Sequence, residues 1–146
     1  MTGIRTSIYK AHQAWSAAYE AELSTAGLNI TPQQATVLCA IAGMESPSQT
    51  DLVDATGVDR STMADVVRRL SSKGLLTRKR TRSDARRYAV SLTTLGQRVA
   101  AQAKTIENII EGRVSANGVP AALSKHLRVA TEILSRDTPV TQQAAE

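Results

Sequence analysis

The sequence predicts a mostly α-helical fold carrying one small β-hairpin, on three observations. Aromatic residues make up only 3% of the 146 residues and Phe is absent. The core must therefore come from Leu, Ile, Val, Ala and Met, a set that suits packed helices better than sheets. Apolar residues recur at the helical period along most of the chain, and the period drops to two at one place, on either side of a short basic stretch. With 42% hydrophobic and 21% charged residues, the composition is that of a folded globular chain, and its length fits a single domain over residues 1–146.

The elements follow in order. Ile4, Ile8, Ala11, Trp15, Ala18 and Leu23 trace one face of a first helix, over residues 4–26, that Gly27 stops. Thr31-Pro32 provides an N-cap and a proline at the first helical position, opening a second helix through Val37, Leu38 and Ile41 to Gly43. Ser46-Pro47-Ser48 breaks the pattern, and Ser48 caps a short helix with Leu52 and Val53 that ends at Gly57. Asp59 caps the next helix, whose stripe is Met63, Val66, Val67 and Leu70 and whose stop is Gly74. Leu76 to Arg80 and Tyr88 to Leu92 alternate as strands around a basic loop from Thr81 to Arg87. Thr93 caps a long helix with Leu95, Val99, Ile106, Ile110 and Val114 on one side. Pro120 is expected to open a last helix carrying Leu123, Leu127, Ala130 and Leu134, and the polar tail after Arg136 is expected to fray.

Charge is concentrated rather than spread. The net charge is +5, yet Arg60 to Arg87 holds ten basic residues against Asp65 and Asp84, a local +8 that leaves −3 for the rest of the chain. A basic block on a mildly acidic body is the footprint of a polyanion-binding protein, because Lys and Arg displace counterions condensed on phosphates. The block coincides with two short helices joined by a tight turn at Gly57 and followed at once by the hairpin, which is a helix-turn-helix with a wing over residues 31–93. If the stripe of the Asp59 helix faces the protein, Arg60, Ser61, Thr62, Asp65, Arg68 and Arg69 face outward. A helix of this width fits the major groove of double-stranded DNA. Ser61, Thr62 and Asp65 are then candidates for base edges, and Arg68 and Arg69 for guanine or phosphate. In the wing, Arg82 is the candidate for insertion into the minor groove, where a narrow groove concentrates negative potential. Asp84 gains nothing from phosphate and is expected to orient a neighbouring arginine, Arg86 being nearest.

The run Asp59-Arg60-Ser61-Thr62, then Leu70, Lys73-Gly74-Leu75, and Asp84-Ala85-Arg86 followed five residues later by Leu92-Thr93 resembles the MarR family of bacterial regulators and fits its D-x-R-x5-L-T wing signature. The resemblance covers nearly the whole chain, from about Ile4 to Leu134. It implies a winged helix-turn-helix flanked by N- and C-terminal dimerisation helices (residues 4–26 and 94–136), a homodimer on a pseudo-palindromic operator, and often a small aromatic or phenolic effector that weakens DNA binding. The expected role is that of a transcriptional repressor. Asp65 departs from the family, where this position is more usually basic or neutral polar. It either accepts a hydrogen bond from a cytosine amino group or pairs with Arg68 or Arg69, three and four residues on; the pairing is favoured.

Other residues invite a sharper reading than they support. His12, Trp15 and Tyr19 share one helix face and either line an effector pocket or pack in a dimer interface, the second being favoured. Cys39 is either a peroxide-sensing thiol or a buried small hydrophobe. With Val37, Leu38, Ala40 and Ile41 around it and no cation nearby in sequence, the latter is favoured. His126 is expected at the surface or in an interface. One cysteine excludes an intramolecular disulfide, and His12 and His126 make no metal-ligand cluster. Scattered Ser, His and Asp form no catalytic triad, and no Gly-rich phosphate loop is present. No enzyme activity, metal or cofactor is therefore expected. A signal segment and a run of ~18 apolar residues are both missing, so a cytoplasmic protein without a membrane partner is expected. Two other readings stay open: a protein-interaction module of antirepressor type that binds an acidic partner, and a winged helix that binds RNA or serves an enzyme complex.

Overall fold

The computed structural model describes residues 3–80 and 88–137. Along them run α1 (Ile4–Thr25), α2 (Pro32–Ala42), α3 (Gln49–Thr56), α4 (Arg60–Ser72), β1 (Leu76–Arg80), β2 (Tyr88–Leu92), α5 (Thr94–Ala116) and α6 (Leu123–Asp137). The chain divides into two compact units, Met1–Ile110 and Glu111–Glu146. No helix among the described residues is long and apolar enough to cross a membrane.

In the first unit the helix starts are chemically explicit. The Thr31 hydroxyl accepts from Gln34 N at 3.2 Å while Gln34 Oε1 accepts from Thr31 N at 3.2 Å. Ser48 and Asp51 repeat this reciprocal box on α3, with Asp51 N donating to Ser48 Oγ at 3.2 Å and Ser48 N to Asp51 Oδ2 at 2.8 Å. Each box satisfies two backbone donors that a helix start would otherwise leave unpaired. Gly57 ends α3 in the left-handed region, at φ 71°, where a side chain would be strained. The turn into α4 is therefore held by its own chemistry.

The core is aliphatic, as the composition requires. Leu23, Leu38, Leu52, Met63, Leu70, Val37, Val67 and Val90 are its largest fully buried side chains. They come from α1, α2, α3, α4 and β2, so the four helices and the hairpin share one interior. The stripe Met63, Val66, Val67 and Leu70 is buried as a set and fixes the rotation of α4.

β1 and β2 pair antiparallel, with Leu76 opposite Leu92, Arg78 opposite Val90 and Arg80 opposite Tyr88. The other edge of β2 is also used: Val90 N donates to Pro47 O at 2.9 Å, and Ser48 bridges Ala89. The breaker segment before α3 thus acts as a short third strand, which ties the hairpin to the helix-turn-helix.

Two expectations are corrected. On α5, Ile110 is buried and Val99 and Ile106 pack against the core as the stripe requires, but Leu95 is exposed, and the other buried positions are the small residues Gly96, Ala100 and Ala103. Small residues are favoured there because the helix approaches the backbone of its neighbours: a Cβ on Gly96 would lie 2.0 Å from Leu75 O. In the second unit, α6 opens at Leu123 rather than at Pro120. Leu123 N donates to Pro120 O at 2.9 Å, an i to i+3 turn that precedes the helix proper. Its apolar residues Leu123, Leu127, Val129, Ile133 and Leu134 are exposed.

Gly96→Ala should therefore destabilise the protein by at least about 1–3 kcal/mol, the usual range for forcing atoms into a packed site. Gly112→Ala, where an added Cβ meets nothing within 4 Å, should be neutral or stabilise by up to about 1 kcal/mol, because Ala is the better helix former. Thermal denaturation of the two variants checks both, and equal behaviour would contradict the close approach at Gly96.

Candidate nucleic-acid interface

The buried stripe of α4 turns Arg60, Ser61, Arg68 and Arg69 to solvent, with Thr62 and Asp65 half-buried beside them. All six outward-facing candidates therefore lie on one continuous helical face. Its N-terminal end is organised by Asp59. One carboxylate oxygen, Oδ1, accepts from Thr62 N at 3.0 Å and from Ser61 Oγ at 2.7 Å, and the other, Oδ2, accepts from Thr62 Oγ1 at 2.6 Å. The Thr62 bonds, then that of Ser61, hold the Asp59 carboxyl well below the usual carboxylate range. An ionised carboxylate here also complements the positive end of the helix dipole.

Asp65 settles between its alternatives in the free protein by pairing with both arginines. It binds the guanidinium of Arg68 and accepts from Arg69 Nε at 2.6 Å. The Arg68 hydrogen bond, ahead of the smaller contribution from Arg69, lowers its pKa. These pairs are exposed, with more than half of each arginine side chain accessible, so they orient more than they stabilise. Each guanidinium has five donor hydrogens, and most remain for another partner.

Lys73 belongs to the basic block in sequence but is engaged within the protein. Its ammonium donates to Asn29 O and, at 3.4 Å, to the buried Gln34 Oε1. Sequence reasoning missed this contact, because nothing local links positions 29, 34 and 73. On the hairpin, Thr77, Arg78, Lys79 and Arg80 are exposed, and the Arg80 guanidinium lies 5.8 Å from the centre of the Tyr88 ring. The wing candidates Arg82, Asp84 and Arg86 lie outside the described residues.

The helix α1 candidates separate by depth. His12 is exposed, Trp15 is half-buried and Tyr19 is only 3% exposed, its hydroxyl donating to Ala103 O at 3.0 Å. Burial pushes the Tyr19 phenol far up, so its polar tip is spent inside the unit. Two surface grooves, of about 700 and 650 Å³, are lined by other residues. The first runs between α1, the 27–31 loop and Arg68, Arg69 and Lys73; the second includes Cys39 and Lys104. Cys39 is half-buried, its thiol directed at Ala100 O at 3.7 Å, and burial followed by Glu107 raises its pKa. That is the opposite of what a reactive thiolate needs. His126 is exposed, with Nδ1 2.7 Å from Ala122 O. Among the described residues no group of three His, Cys, Asp or Glu side chains is placed to hold a metal.

Because the folded-state pKa of Asp59 is depressed, its contribution to stability is present above the ordinary value of 3.8 and is lost as pH falls through the depressed value. Asp59→Asn keeps a cap oxygen but cannot take up that proton. Its melting temperature should fall less than that of the wild type between about pH 5 and pH 2. Parallel melts that lose stability equally would contradict the role given to the carboxylate.

Comparison with known proteins agrees with this geometry. Residues 28–87 match the MarR family model. Over 92 residues the chain is 33% identical to transcriptional regulator HosA of Escherichia coli O127:H6, covering 60% of this chain and 68% of that protein. The fold is similar to that of MepR from S. aureus in a DNA complex, with a TM-score of 0.79 and 19% identity over 93% of this chain and 99% of that one. It is also similar to a mutant MarR from E. coli complexed with operator DNA, with a TM-score of 0.72 and 24% identity over 87% of this chain and 89% of that one. With a winged helix-turn-helix, an aligned relative and the family pattern all in place, the chain belongs to the MarR family.

Proposed function

We propose that this protein is a sequence-specific, double-stranded-DNA-binding transcriptional regulator that acts as a homodimeric repressor. The observation that carries the reading is the outward face of α4, which sets Arg60, Ser61, Thr62, Asp65, Arg68 and Arg69 opposite a fully buried stripe. Such a helix fits the major groove. Arg78 and Lys79 extend the positive surface along β1. The sequence adds Arg82, Asp84 and Arg86 as the wing, with Arg82 entering the adjacent minor groove. MepR and a mutant MarR, which share the fold, were each solved in complex with DNA.

In the proposed dimer, residues 4–26 and 94–136 make the subunit contact within a single functional domain of residues 1–146. Ile4, Ile8 and Tyr9 on α1, and Leu123, Leu127, Val129, Ile133 and Leu134 on α6, are exposed large apolar side chains. That much apolar surface on two helices is the signature of a partner. Leu127→Glu on α6 is expected to yield monomer in sedimentation experiments and to cost operator affinity, while leaving helix content unchanged. A variant that stays dimeric would contradict the assignment of α6.

Binding is expected to be dominated by phosphate contacts. Affinity for duplex should fall by about a thousandfold or more between about 50 and 200 mM salt, if six or more phosphates are engaged. Arg82→Ala should lower affinity and shallow the salt slope without changing the preferred major-groove sequence. Fluorescence anisotropy with labelled duplex measures both. Salt-insensitive binding would contradict the reading and favour an interaction module for an acidic protein.

Release by a small aromatic or phenolic effector is the proposed regulation. With Tyr19 committed to Ala103, the part of its face open to a ligand is His12 and Trp15. A saturable change in Trp15 fluorescence with an aromatic acid that also releases duplex is the expected result. No change across a panel of such acids would contradict it.

A further inference from the structure

The start of α4 carries information beyond which residues face outward. Ser61 and Thr62 are hydroxyl residues, and a hydroxyl has one hydrogen to give and two lone pairs to accept with. In both residues the hydrogen is already given away. Ser61 Oγ donates to Asp59 Oδ1 at 2.7 Å and Thr62 Oγ1 donates to Asp59 Oδ2 at 2.6 Å. The acceptor is an ionised carboxylate, which holds a hydroxyl hydrogen more strongly than a neutral base carbonyl does. Asp59 itself is placed by the backbone, because its Oδ1 also caps the helix through Thr62 N at 3.0 Å.

We infer that Asp59 is a positioning residue for sequence reading: it fixes Ser61 and Thr62 as hydrogen-bond acceptors, so that these two side chains recognise the amino groups of adenine or cytosine and reject the keto edges of guanine and thymine. This rests on the DNA-reading function proposed above. In the major groove adenine N6 and cytosine N4 donate, whereas guanine O6 and N7 and thymine O4 only accept. A hydroxyl whose hydrogen points back to the protein has nothing to offer the second group.

The two oxygens of Asp59 make the inference divisible. In Asp59→Asn the cap is kept, since Asn is as good an N-cap as Asp, and the oxygen must take the Oδ1 position to accept from Thr62 N. Ser61 therefore keeps its acceptor there. The amide nitrogen falls at the Oδ2 position and donates to Thr62 Oγ1, which turns the Thr62 hydrogen outward. Thr62 becomes a donor and Ser61 does not.

The test uses the full-length protein and the duplex that it binds most tightly in a random pool. That duplex is remade one base at a time with purine for adenine, or 2-pyrimidinone for cytosine, which removes a single exocyclic amino group. At the contacted positions wild-type affinity should drop about five- to tenfold, the size of one hydrogen bond, and the drop should vanish in Ser61→Ala or Thr62→Ala. Asp59→Asn, with its helix content verified by circular dichroism, should select guanine or thymine at the Thr62 position and leave the Ser61 position unchanged. Amino deletions that cost nothing anywhere Ser61 or Thr62 matters, or an Asp59→Asn preference equal to wild type, overturn the inference while DNA reading stands. A random pool from which no duplex is enriched overturns both.

Discussion

The junction where α4 ends, β1 begins and α5 begins is the constraint on which the rest of the first unit depends. Three backbone segments meet there at contact distance. Thr93 N donates to Leu75 O at 3.0 Å, the Thr93 hydroxyl donates to Gly74 O at 2.7 Å, and the same hydroxyl accepts from Gly96 N at 3.0 Å. Gly96 then passes so close to Leu75 O that only a glycine fits. Gly74, at φ 70°, gives the chain the left-handed residue it needs to leave α4, and Leu75 N returns to Leu70 O at 3.0 Å. One threonine and two glycines thereby hold the candidate reading helix, the hairpin and α5 in a fixed mutual geometry. A reader of base edges needs that rigidity, because a helix free to rotate could not hold side chains in register with the groove.

Around that frame, charge is managed locally. Among the described residues of the basic block, Lys73 is turned back to Asn29 and Gln34, and Asp65 engages Arg68 and Arg69. What faces outward from α4 is a mixed polar surface, with two hydroxyls directed by one carboxylate and two guanidiniums directed by another. Such a surface is better suited to discriminating among sequences than to gripping phosphate. The hairpin, with Arg78 and Lys79 exposed and unmixed with acidic residues on β1, is the more electrostatic of the two parts.

Much of this was legible in the sequence, and the residues show why. Thr31-Pro32, Ser48 and Asp59 announce helix starts because capping chemistry is local: a side chain three positions from its target needs no tertiary information. The stripe of Met63, Val66, Val67 and Leu70 was equally plain, since one face must be buried whatever buries it. Failures came where the partner is distant in sequence. The contact of Lys73 with Asn29 and Gln34, the pairing of Pro47 and Ser48 with β2, and the phenol of Tyr19 on Ala103 O all join positions that no local pattern connects. In α5 the larger side chains misled: hydrophobicity pointed to Leu95, whereas close approach of backbones selected Gly96, Ala100 and Ala103. At α6, proline marked the turn before the helix rather than its first residue. On α1 the shared face of His12, Trp15 and Tyr19 was visible, but the depth of each residue was not.

We propose that a dimer reads DNA through paired α4 helices held at this junction. The most direct measurement is the enrichment of bound duplexes from a random pool by the purified protein. The expected result is an inverted repeat whose half-sites are centred about one helical turn, ~34 Å, apart, with the preferred bases altered by changes at Ser61, Thr62 or Asp65. Enrichment of no common sequence, or of a single unrepeated site indifferent to those changes, would contradict it.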